Sequence, residues 1–367
     1  MKILISANTS WYVYNFRGKL IERLLKNGYQ VVIAAPEDSY TSRIKAKGCA
    51  FEVVKMDPNG TSPRRDFALY RRFRQILRHQ KPDMVFSYTI KCNIFLSLAA
   101  RATKTPVAPN VSGLGTAFLS DGWVNRIVQL LYRRAFRHPR TVFFQNPDDQ
   151  QMFLDLGLVR REQARLLPGS GVDLVRFAPH PMPDGQEVTF LLVARMLWDK
   201  GVGEYVEAAR RIRRHYPNAR FQLLGGVDAN NSRAIPQEKI EEWRAEGVVE
   251  YLGTTGDVRP YIAQAHCVVL PSYREGTPRS LLEAAAMARP VITTDAPGCR
   301  NVVEDGVSGY LCALRDSAEL EGVVRKFLAL SMPQWAAMGQ AGRQKMEREY
   351  DEAIVLEAYL DEIRKLS

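Results

Sequence analysis

The run CVVLPSYREGTPRSLLEAAAMARPVITT occupies residues 267–294 of this chain of 367 residues. Its apolar start, Cys267–Leu270, predicts a short buried strand. Thr277 followed by Pro278 predicts the start of a helix, with a hydroxyl N-cap and a proline at the first helical position. Pro290–Thr293 predicts a second buried strand. The stretch therefore predicts a strand–loop–helix–strand unit of a parallel sheet.

Two glutamates lie within this unit, Glu275 in the loop and Glu283 in the predicted helix. The helix N-terminus between them offers unpaired N–H groups and the positive end of a dipole, which suits a diphosphate. Each carboxylate accepts two hydrogen bonds and so suits a pair of vicinal hydroxyls. The spacing is compatible with a bound sugar–diphosphate–ribose, although glutamates at this spacing are also common by chance.

These residues, in this order, resemble the donor-site signature of retaining glycosyltransferase family four. The matching positions are Pro271-Ser272, Glu275-Gly276-Thr277-Pro278, Leu282-Glu283-Ala284, Arg289-Pro290-Val291-Ile292, Gly298, Val303-Glu304-Asp305-Gly306 and Gly309. The resemblance covers nearly the whole chain, more weakly in the first half. There, two segments are similar to those of bacterial enzymes that extend undecaprenyl-diphosphate-linked sugars: Asn8–Tyr12 and Val111–Gly115.

The resemblance implies the GT-B fold, an α/β architecture. Two doubly wound, Rossmann-like parallel-sheet domains would face a central cleft, and a C-terminal helix would return to the first domain. The predicted alternation of strands and helices breaks where prolines and glycines concentrate, at 168–185. We expect an N-terminal acceptor and membrane-facing domain at 1–170 joined by the helix at 350–367, a linker at 171–186, and a nucleotide-sugar donor domain at 187–349.

Length and composition agree with two domains in a reducing compartment. The chain is too long for one ordinary domain, and its 46% of apolar residues suffices for two cores. No run approaches eighteen apolar residues, and the apolar run at Met1–Ser6 is too short for a signal peptide. The five cysteines are scattered and odd in number, which argues against disulfides and a zinc site.

Charge is unevenly distributed along the chain. The net charge is +11, but residues 1–167 hold 27 Lys and Arg against 12 Asp and Glu, hence +15, and the remainder is −4. The first half should therefore meet an anionic partner: a phospholipid surface, a lipid diphosphate or nucleic acid.

Two stretches of the first half have basic and apolar residues at helical spacing and could lie on an anionic membrane: Arg64–Arg78 and Trp123–Arg137. Such spacing more often indicates core contact with a solvated basic face.

Two cations are expected beside the glutamates. Arg195 follows the first predicted strand of the second domain, and Lys200 precedes Gly201 at the start of a helix. The carboxyl ends of strands face the ligand crevice in a doubly wound sheet, so both cations could stabilise a departing diphosphate. The resemblance implies a diphosphate-binding role for both, and we predict Arg195, Lys200 and Glu275 as the catalytic residues.

The remaining donor contacts are predicted from the same resemblance and from the helix start. They are Glu283, Gly225, Thr255, Val258, Thr277, Arg279, Ser280 and Leu281. The chain has no D-x-D motif, and its five histidines are isolated, so we expect neither a metal site nor a cofactor.

The acceptor should bind in the first domain. Many relatives carry a histidine where this chain has Asn110-Val111-Ser112-Gly113, and an amide or hydroxyl can only hydrogen-bond there at neutral pH. The family implies that a donor phosphate oxygen removes the acceptor proton, with retention of configuration.

Asn8–Asn15 is predicted to be a loop followed by a helix. The predicted acceptor residues are Ser10, Trp11, Tyr14, Arg17, Ser112 and Gly113, with Arg17 at the helix start facing a phosphate; the aromatics could equally pack between elements.

The function predicted first is a retaining, metal-independent glycosyltransferase, peripheral on the inner face of the cell membrane. It would move a hexose or N-acetylhexosamine from a UDP-sugar to a lipid-diphosphate-linked saccharide in surface polysaccharide or glycan biosynthesis. A sugar-nucleotide 2-epimerase of the same fold is the alternative, but the crevice offers few acid/base side chains. A nucleic-acid-binding protein fits the basic half alone, without any recognisable module.

Overall fold

The computed structural model describes residues 1–57, 62–114, 123–228 and 231–366, which form two compact units. The first unit comprises Met1–Ser170 and Ala353–Ser367, and the second comprises Gly171–Glu352. The segment predicted as a linker, 171–186, is part of the second unit, where Val172 and Phe177 are buried in the core.

The described part of the first unit contains a seven-stranded parallel sheet. Its strands are β1 (Lys2–Ser6), β2 (Gln30–Ala35), β3 (Ala50–Val53), β4 (Met84–Tyr88), β5 (Val107–Val111), β6 (Val142–Phe144) and β7 (Ala164–Leu166). Their order is β3-β2-β1-β4-β5-β6-β7, so the strand order reverses between β1 and β4. Successive residues of β1 enter different cores, Ile3 and Ile5 on one face and Leu4 on the other. Helices therefore cover both faces, as a parallel sheet requires.

The helices of this unit connect the strands in turn. They are α1 (Ser10–Lys26), α2 (Thr41–Ala46), α3 (Pro63–Gln80), α4 (Ile90–Thr103), α5 (Trp123–Ala135) and α6 (Pro147–Asp155). The prediction of a loop at Asn8–Asn15 was wrong, because α1 begins at Ser10. Thr9 is its N-cap and accepts a hydrogen bond from the Tyr12 amide at 3.0 Å.

The described part of the second unit contains a six-stranded parallel sheet in the order β10-β9-β8-β11-β12-β13. Its strands are β8 (Val188–Val193), β9 (Ala219–Leu224), β10 (Glu250–Tyr251), β11 (Cys267–Leu270), β12 (Val291–Thr294) and β13 (Gly309–Cys312). Its helices are α7 (Val202–Arg213), α8 (Gln237–Ala245), α9 (Arg259–Gln264), α10 (Arg279–Ala286), α11 (Ser317–Leu328) and α12 (Met332–Glu349). The strand–loop–helix–strand prediction for 267–294 is confirmed as β11, α10 and β12.

The last helix, α13 (Glu352–Arg364), completes the first unit. Its residues Val355, Ala358, Tyr359 and Ile363 are buried in the same core as Ile3 and Ile5. The predicted return of the C-terminal helix to the first domain is thus confirmed. Across the described ranges, we find no helix with the length and apolar content needed to cross a membrane. All five cysteines are buried as free thiols.

Candidate active site

The segment after β8 and the loop after β11 are fastened together at the carboxyl edge of the second sheet. Gly201 has φ +72°, and a side chain there would place its Cβ 2.0 Å from the carbonyl oxygen of Pro271. The carbonyl of Asp199 accepts hydrogen bonds from the Ser272 hydroxyl at 3.1 Å and from the Tyr273 amide at 3.0 Å. Only glycine permits so close an approach at this φ, so the backbone itself sets the spacing of the two segments.

Lys200 and Glu275 form an ion pair across these segments. The Lys200 ammonium donates to Oε1 of Glu275, which also accepts a hydrogen bond of 2.8 Å from the Ser272 hydroxyl. Only 18% of the Lys200 side chain and 15% of the Glu275 side chain is exposed. The structure thus brings together two of the three residues predicted to be catalytic, and it orients the carboxylate before any substrate binds.

Arg195, the third of these residues, lies just beyond the end of β8 with an exposed side chain. Among the described residues, none forms a hydrogen bond or ion pair with its guanidinium. The fork of five N–H donors is therefore available to grip two oxygens of a diphosphate. The two predicted cations differ in this respect, since Lys200 is already paired.

The start of α10 differs from the prediction. The helix begins at Arg279, and its N-cap is Pro278, with no side-chain cap. The Thr277 hydroxyl instead donates to the Gly276 carbonyl at 2.8 Å. The predicted threonine cap was wrong because Pro278 adopts an extended backbone, φ −72° and ψ 113°, which moves the helix start one residue along. An N-terminus with no side-chain cap retains the condition for binding an anion.

Glu283 lies on α10, one turn after Arg279. The two form an ion pair of 2.8 Å between Nε and Oε1, and Glu283 is buried. Burial raises the pKa of the Glu283 carboxyl, and the neighbouring Arg279 opposes that rise. Arg279, predicted to bind the donor, therefore also positions Glu283 and favours its ionised form.

Gly225 occupies the turn after β9. Its amide donates to the Gly253 carbonyl at 2.8 Å, and its own carbonyl accepts from the Tyr251 hydroxyl at 2.9 Å. A Cβ at this position would lie 1.7 Å from the carbonyl oxygen of Ala194. The glycine is thus required by close packing of two strand ends, and its backbone amide and carbonyl already have partners.

The other predicted donor residues differ in what they offer. Thr255 is exposed, and its hydroxyl donates to the Asp257 carbonyl at 2.9 Å. Val258 is the N-cap of α9, and Ser280 is half-buried in the first turn of α10. Leu281 is fully buried, so it can meet a ligand only through its backbone.

The predicted acceptor residues at the start of α1 are largely engaged within the protein. Ser10 is buried, and its hydroxyl donates to the Pro36 carbonyl at 2.7 Å and accepts from the Thr41 hydroxyl at 3.2 Å. The Trp11 amide donates to the Asp38 carboxylate at 2.8 Å, while the Trp11 ring is exposed. A carboxylate therefore already occupies the N-terminus of α1, where an anionic ligand would otherwise bind.

Three further predicted acceptor residues are half-buried. Tyr14 is half-buried against Tyr40, with ring centroids 5.4 Å apart. Ser112 and Gly113 are half-buried directly after β5. Gly115, part of the same sequence similarity, lies outside the described residues.

Arg17 does not lie at the start of the helix, because α1 begins seven residues earlier. It is only 2% exposed, and its guanidinium lies 4.0 Å from the centre of the Tyr88 ring. One of its terminal nitrogens donates to the Tyr12 hydroxyl at 3.1 Å. The ring of Tyr359 lies next to that of Tyr88, with 6.3 Å between the ring centroids. We refer to these four residues as the arginine–tyrosine cluster: Arg17, Tyr12, Tyr88 and Tyr359.

A buried polar chain adjoins this cluster. The Asn110 amide donates to the Tyr359 hydroxyl at 2.7 Å, and Gln145 donates to the Asn110 side-chain oxygen at 3.3 Å. Sequence reasoning identified Asn110 but missed its partners, since Tyr359 is 249 positions away along the chain. Asn110, in the stretch where a histidine would be expected from the resemblance, is thus an uncharged amide held by hydrogen bonds.

Among the described residues, no three His, Cys, Asp or Glu side chains form a group that could hold a metal ion. The cationic side chains predicted for the donor site at this edge are Arg195, Lys200 and Arg279, and the start of α10 adds neutral backbone N–H donors.

Known families match both units. A model described as "Glycosyl transferase 4-like domain" matches residues 16–170, and one described as "Glycosyl transferases group 1" matches residues 187–329. Together the two models account for most of the chain. The chain belongs to the group 1 glycosyltransferases, and the predicted enzyme class is confirmed.

Individual relatives and solved structures resemble the chain over almost its whole length. The N,N'-diacetylbacillosaminyl-diphospho-undecaprenol alpha-1,3-N-acetylgalactosaminyltransferase of Campylobacter jejuni is 26% identical, over 98% of this chain and 97% of that protein. Among solved structures, Alr3699/HepE of Anabaena, in complex with UDP-glucose, has a TM-score of 0.81 at 17% identity, with both chains fully covered. A glycosyltransferase of Rickettsia africae has a TM-score of 0.80 at 15% identity, covering 100% of this chain and 98% of that one. These structures confirm the GT-B fold.

Proposed function

We propose that this enzyme is a retaining glycosyltransferase that moves a hexose or N-acetylhexosamine from a UDP-sugar to a lipid-diphosphate-linked saccharide, in surface polysaccharide or glycan biosynthesis. The observation that carries the proposal is the Lys200–Glu275 ion pair beside the unpartnered Arg195, at the edge where parallel sheets bind ligands. The Campylobacter relative, whose name specifies a diphospho-undecaprenol-linked acceptor, supports the acceptor class.

Each charged group has a distinct role in this proposal. Glu283 accepts hydrogen bonds from the ribose hydroxyls, and the N-terminus of α10 binds the diphosphate. Glu275 accepts hydrogen bonds from the sugar, whose ring gains positive charge as the bond from its anomeric carbon to the phosphate oxygen breaks. Arg195 and Lys200 stabilise the negative charge that grows on the departing UDP.

The acceptor proton requires a base, and the buried Asn110 cannot supply one. A phosphate oxygen of the departing UDP takes this proton as the acceptor oxygen bonds to the anomeric carbon from the same face. The bond to phosphate breaks, the bond to the acceptor forms, and the anomeric configuration is retained. The cations and helix amides supply the stabilising charge, so turnover is expected without added metal.

A two-stage experiment tests this proposal. A panel of nucleotide-sugars is first screened for protection against thermal unfolding, because a bound ligand raises stability by mass action. The stabilising donor is then incubated with lipid-diphosphate-linked acceptors, with and without EDTA, and the product linkage is assigned by NMR. Retained configuration and full activity in EDTA are expected. An inverted product, or activity restored only by magnesium or manganese, would refute the mechanism.

We also propose that α5 meets the inner, anionic face of the cell membrane. Its residues Trp123, Ile127 and Leu130 share one helical face and are 73%, 45% and 50% exposed. Exposed arginines surround this face: Arg126, Arg133, Arg134 and Arg137. Such a helix lies in the plane of a membrane surface, with its apolar face in the headgroup region.

The other basic stretch, in α3, has a different explanation. Its apolar residues Leu69, Phe73, Ile76 and Leu77 are buried in the core of the first unit, so their spacing reflects internal packing. Phe67 is the large apolar side chain that this helix exposes, against three on α5, so α3 offers a smaller apolar contact beside its arginines.

Vesicle flotation at low salt tests the role of α5. Wild-type protein should prefer anionic over zwitterionic vesicles, and added salt should weaken binding. Ile127→Ser with Leu130→Ser should release the protein, because the apolar contact is lost while the arginines remain. Ile354→Ser, an exposed position on α13, is the matched control. Equal flotation of the double variant and wild type would refute the assignment.

A further inference from the structure

The arginine–tyrosine cluster buries a cation without a carboxylate. Arg17 forms no ion pair with any described residue. Of its five N–H donors, one forms a hydrogen bond with a described residue, the Tyr12 hydroxyl. Its Nε is buried and has no hydrogen-bond partner within the part of the chain that the structure describes. The nearest group that can partly stabilise its positive charge is the face of the Tyr88 ring. A cation–π contact and one neutral hydrogen bond offset only part of the loss of hydration, so the arrangement destabilises the empty protein.

The position of the cluster favours a ligand. Tyr88 is the last residue of β4, next to β1, at the point where the strand order of the first sheet reverses. Open α/β sheets bind ligands in the crevice at this point, outside the carboxyl ends of the strands. Arg17 is thus an unpaired cation at the place where this architecture accepts small molecules.

The backbone beside Tyr88 is strained. Thr89 has φ 69° and ψ 154°, a region that is almost restricted to glycine, although it carries a β-branched side chain. Such strain persists where the surrounding structure forces it, and it concentrates at ligand-binding positions. This observation is independent of the charge on Arg17, and it concerns the same strand end.

We infer that Arg17 is an anion receptor that binds a phosphate group of a diphosphate ester at the carboxyl edge of the first sheet. The exposed Trp11 ring and Phe16, 5.6 Å apart, provide an adjacent apolar surface for the organic part of the ester. Naming the ester rests on the proposed function, which supplies two sources: the lipid diphosphate of the acceptor and the diphosphate of UDP. A guanidinium fork matches the geometry of either.

The test uses thermal unfolding of the full chain with two probes, farnesyl diphosphate and UDP. Arg17→Met removes the charge and keeps the volume, and Arg23→Met is the control, an exposed arginine on the same helix. Farnesyl diphosphate should raise the unfolding midpoint of wild type and of Arg23→Met. Arg17→Met should bind farnesyl diphosphate at least tenfold more weakly than wild type. Without ligand, its unfolding midpoint should exceed that of wild type, because an uncompensated buried charge has been removed.

The two probes separate the possible outcomes. Loss of the farnesyl diphosphate shift in Arg17→Met, with the UDP shift intact, supports the anion receptor with the acceptor as its ligand. Loss of the UDP shift instead supports the receptor with the nucleotide as its ligand. A ligand-free midpoint below wild type, with both shifts unchanged, would show that Arg17 is only a packing residue and overturn the inference. Arg17→Lys, which keeps the charge but not the fork, should bind the ester more weakly than wild type and more tightly than Arg17→Met.

Failure of the proposed function would look different. Wild-type protein that responds to no nucleotide or nucleotide-sugar would contradict the donor assignment in the second unit. In that case, the shift of the unfolding midpoint by farnesyl diphosphate would still test whether Arg17 binds an anion. Loss of that shift in Arg17→Met would support the inference even though the donor assignment had failed.

Discussion

The carboxyl edges of the two sheets carry charge in opposite ways. In the second unit, Lys200 is paired with Glu275, and Arg279 with Glu283, before any ligand is present. In the first unit, Arg17 is buried among aromatic rings with no carboxylate partner among the described residues. At the second edge, two half-buried cations are therefore paired with carboxylates and only the exposed Arg195 lacks a partner among the described residues, whereas the buried cation at the first edge has no carboxylate.

This difference predicts opposite responses to mutation. Removing one member of these partly buried ion pairs leaves the charge of the other without its counter-ion, so removing Lys200 or Arg279 should lower the stability of the second unit. Removing Arg17 relieves the first unit of a buried charge, so it should stabilise the empty protein while weakening its ligand. The exposed, unpartnered Arg195 should affect catalysis with little change in stability.

The largest effect is expected for Arg195→Ala. Its guanidinium matters most as the diphosphate departs, so kcat should fall about 10²–10³-fold while the unfolding midpoint stays unchanged. Steady-state kinetics and thermal unfolding measure the two quantities. Arg214→Ala, another exposed arginine of the second unit, is the control and should behave as wild type. A raised KM with normal kcat would place Arg195 in ground-state binding.

The two glutamates should fail in different ways. Glu283→Ala should weaken UDP as well as UDP-sugar, because each lost charge-assisted hydrogen bond is worth roughly 1.5–3 kcal/mol. Glu275→Gln keeps the shape but not the charge, so it should bind UDP normally and turn over slowly. Calorimetric titration of UDP into both variants, with rates alongside, separates them. If Glu275→Gln loses UDP and Glu283→Ala retains it, the two roles are exchanged.

Lys200→Met tests the paired edge against the unpaired one. The variant leaves the shielded Glu275 carboxylate without its cation, so the free energy of unfolding should fall by about 1–3 kcal/mol. Urea unfolding provides the measurement. Lys239→Met, which breaks an exposed pair with Glu242, should change the free energy of unfolding by less than about 1 kcal/mol. Stabilisation by Lys200→Met, as expected for Arg17→Met, would end the contrast between the two edges.

The smallest effect is on the pH dependence of UDP binding. Burial raises the pKa of Glu283 above its ordinary value of 4.5, so this carboxylate becomes protonated at a higher pH than an exposed glutamate. UDP affinity should therefore begin to fall above pH 4.5 on acidification, as the ionised acceptor is lost. Glu283→Gln should bind UDP weakly and without that pH dependence. An identical profile in both would assign the titration to another group.

The fold and the placement of the candidate residues in the second unit could be predicted because their signals are local. Glu275 and Glu283 lie within one strand–loop–helix segment, and Arg195 and Lys200 directly follow a strand of the same sheet. Parallel strands bring such ends together whatever the length of the connections between them. The missed detail, the helix start at Arg279, depends on the backbone conformation of one proline.

The first-unit site could not be predicted in the same way. Thr9 gave a valid helix-start signal, but the aromatic residues that follow it obscured the apolar periodicity of α1. The surroundings of Arg17 come from β4 and α13, so no spacing near residue 17 records its burial. The prediction placed Arg17 at a helix start facing a phosphate, and only the three-dimensional arrangement shows the tyrosines that enclose it.

The position of α13 has a consequence for synthesis on the ribosome. Met1–Ser170 leave the ribosome first, yet the core of their unit includes side chains from Ala353 onward. At 5–20 residues per second, the intervening roughly 180 residues take on the order of 10–40 s to make. Throughout that interval, the surface that Tyr359 and its neighbours will cover remains open in the nascent chain. The second unit, which is continuous in sequence, can finish folding before the first, although it is synthesised later.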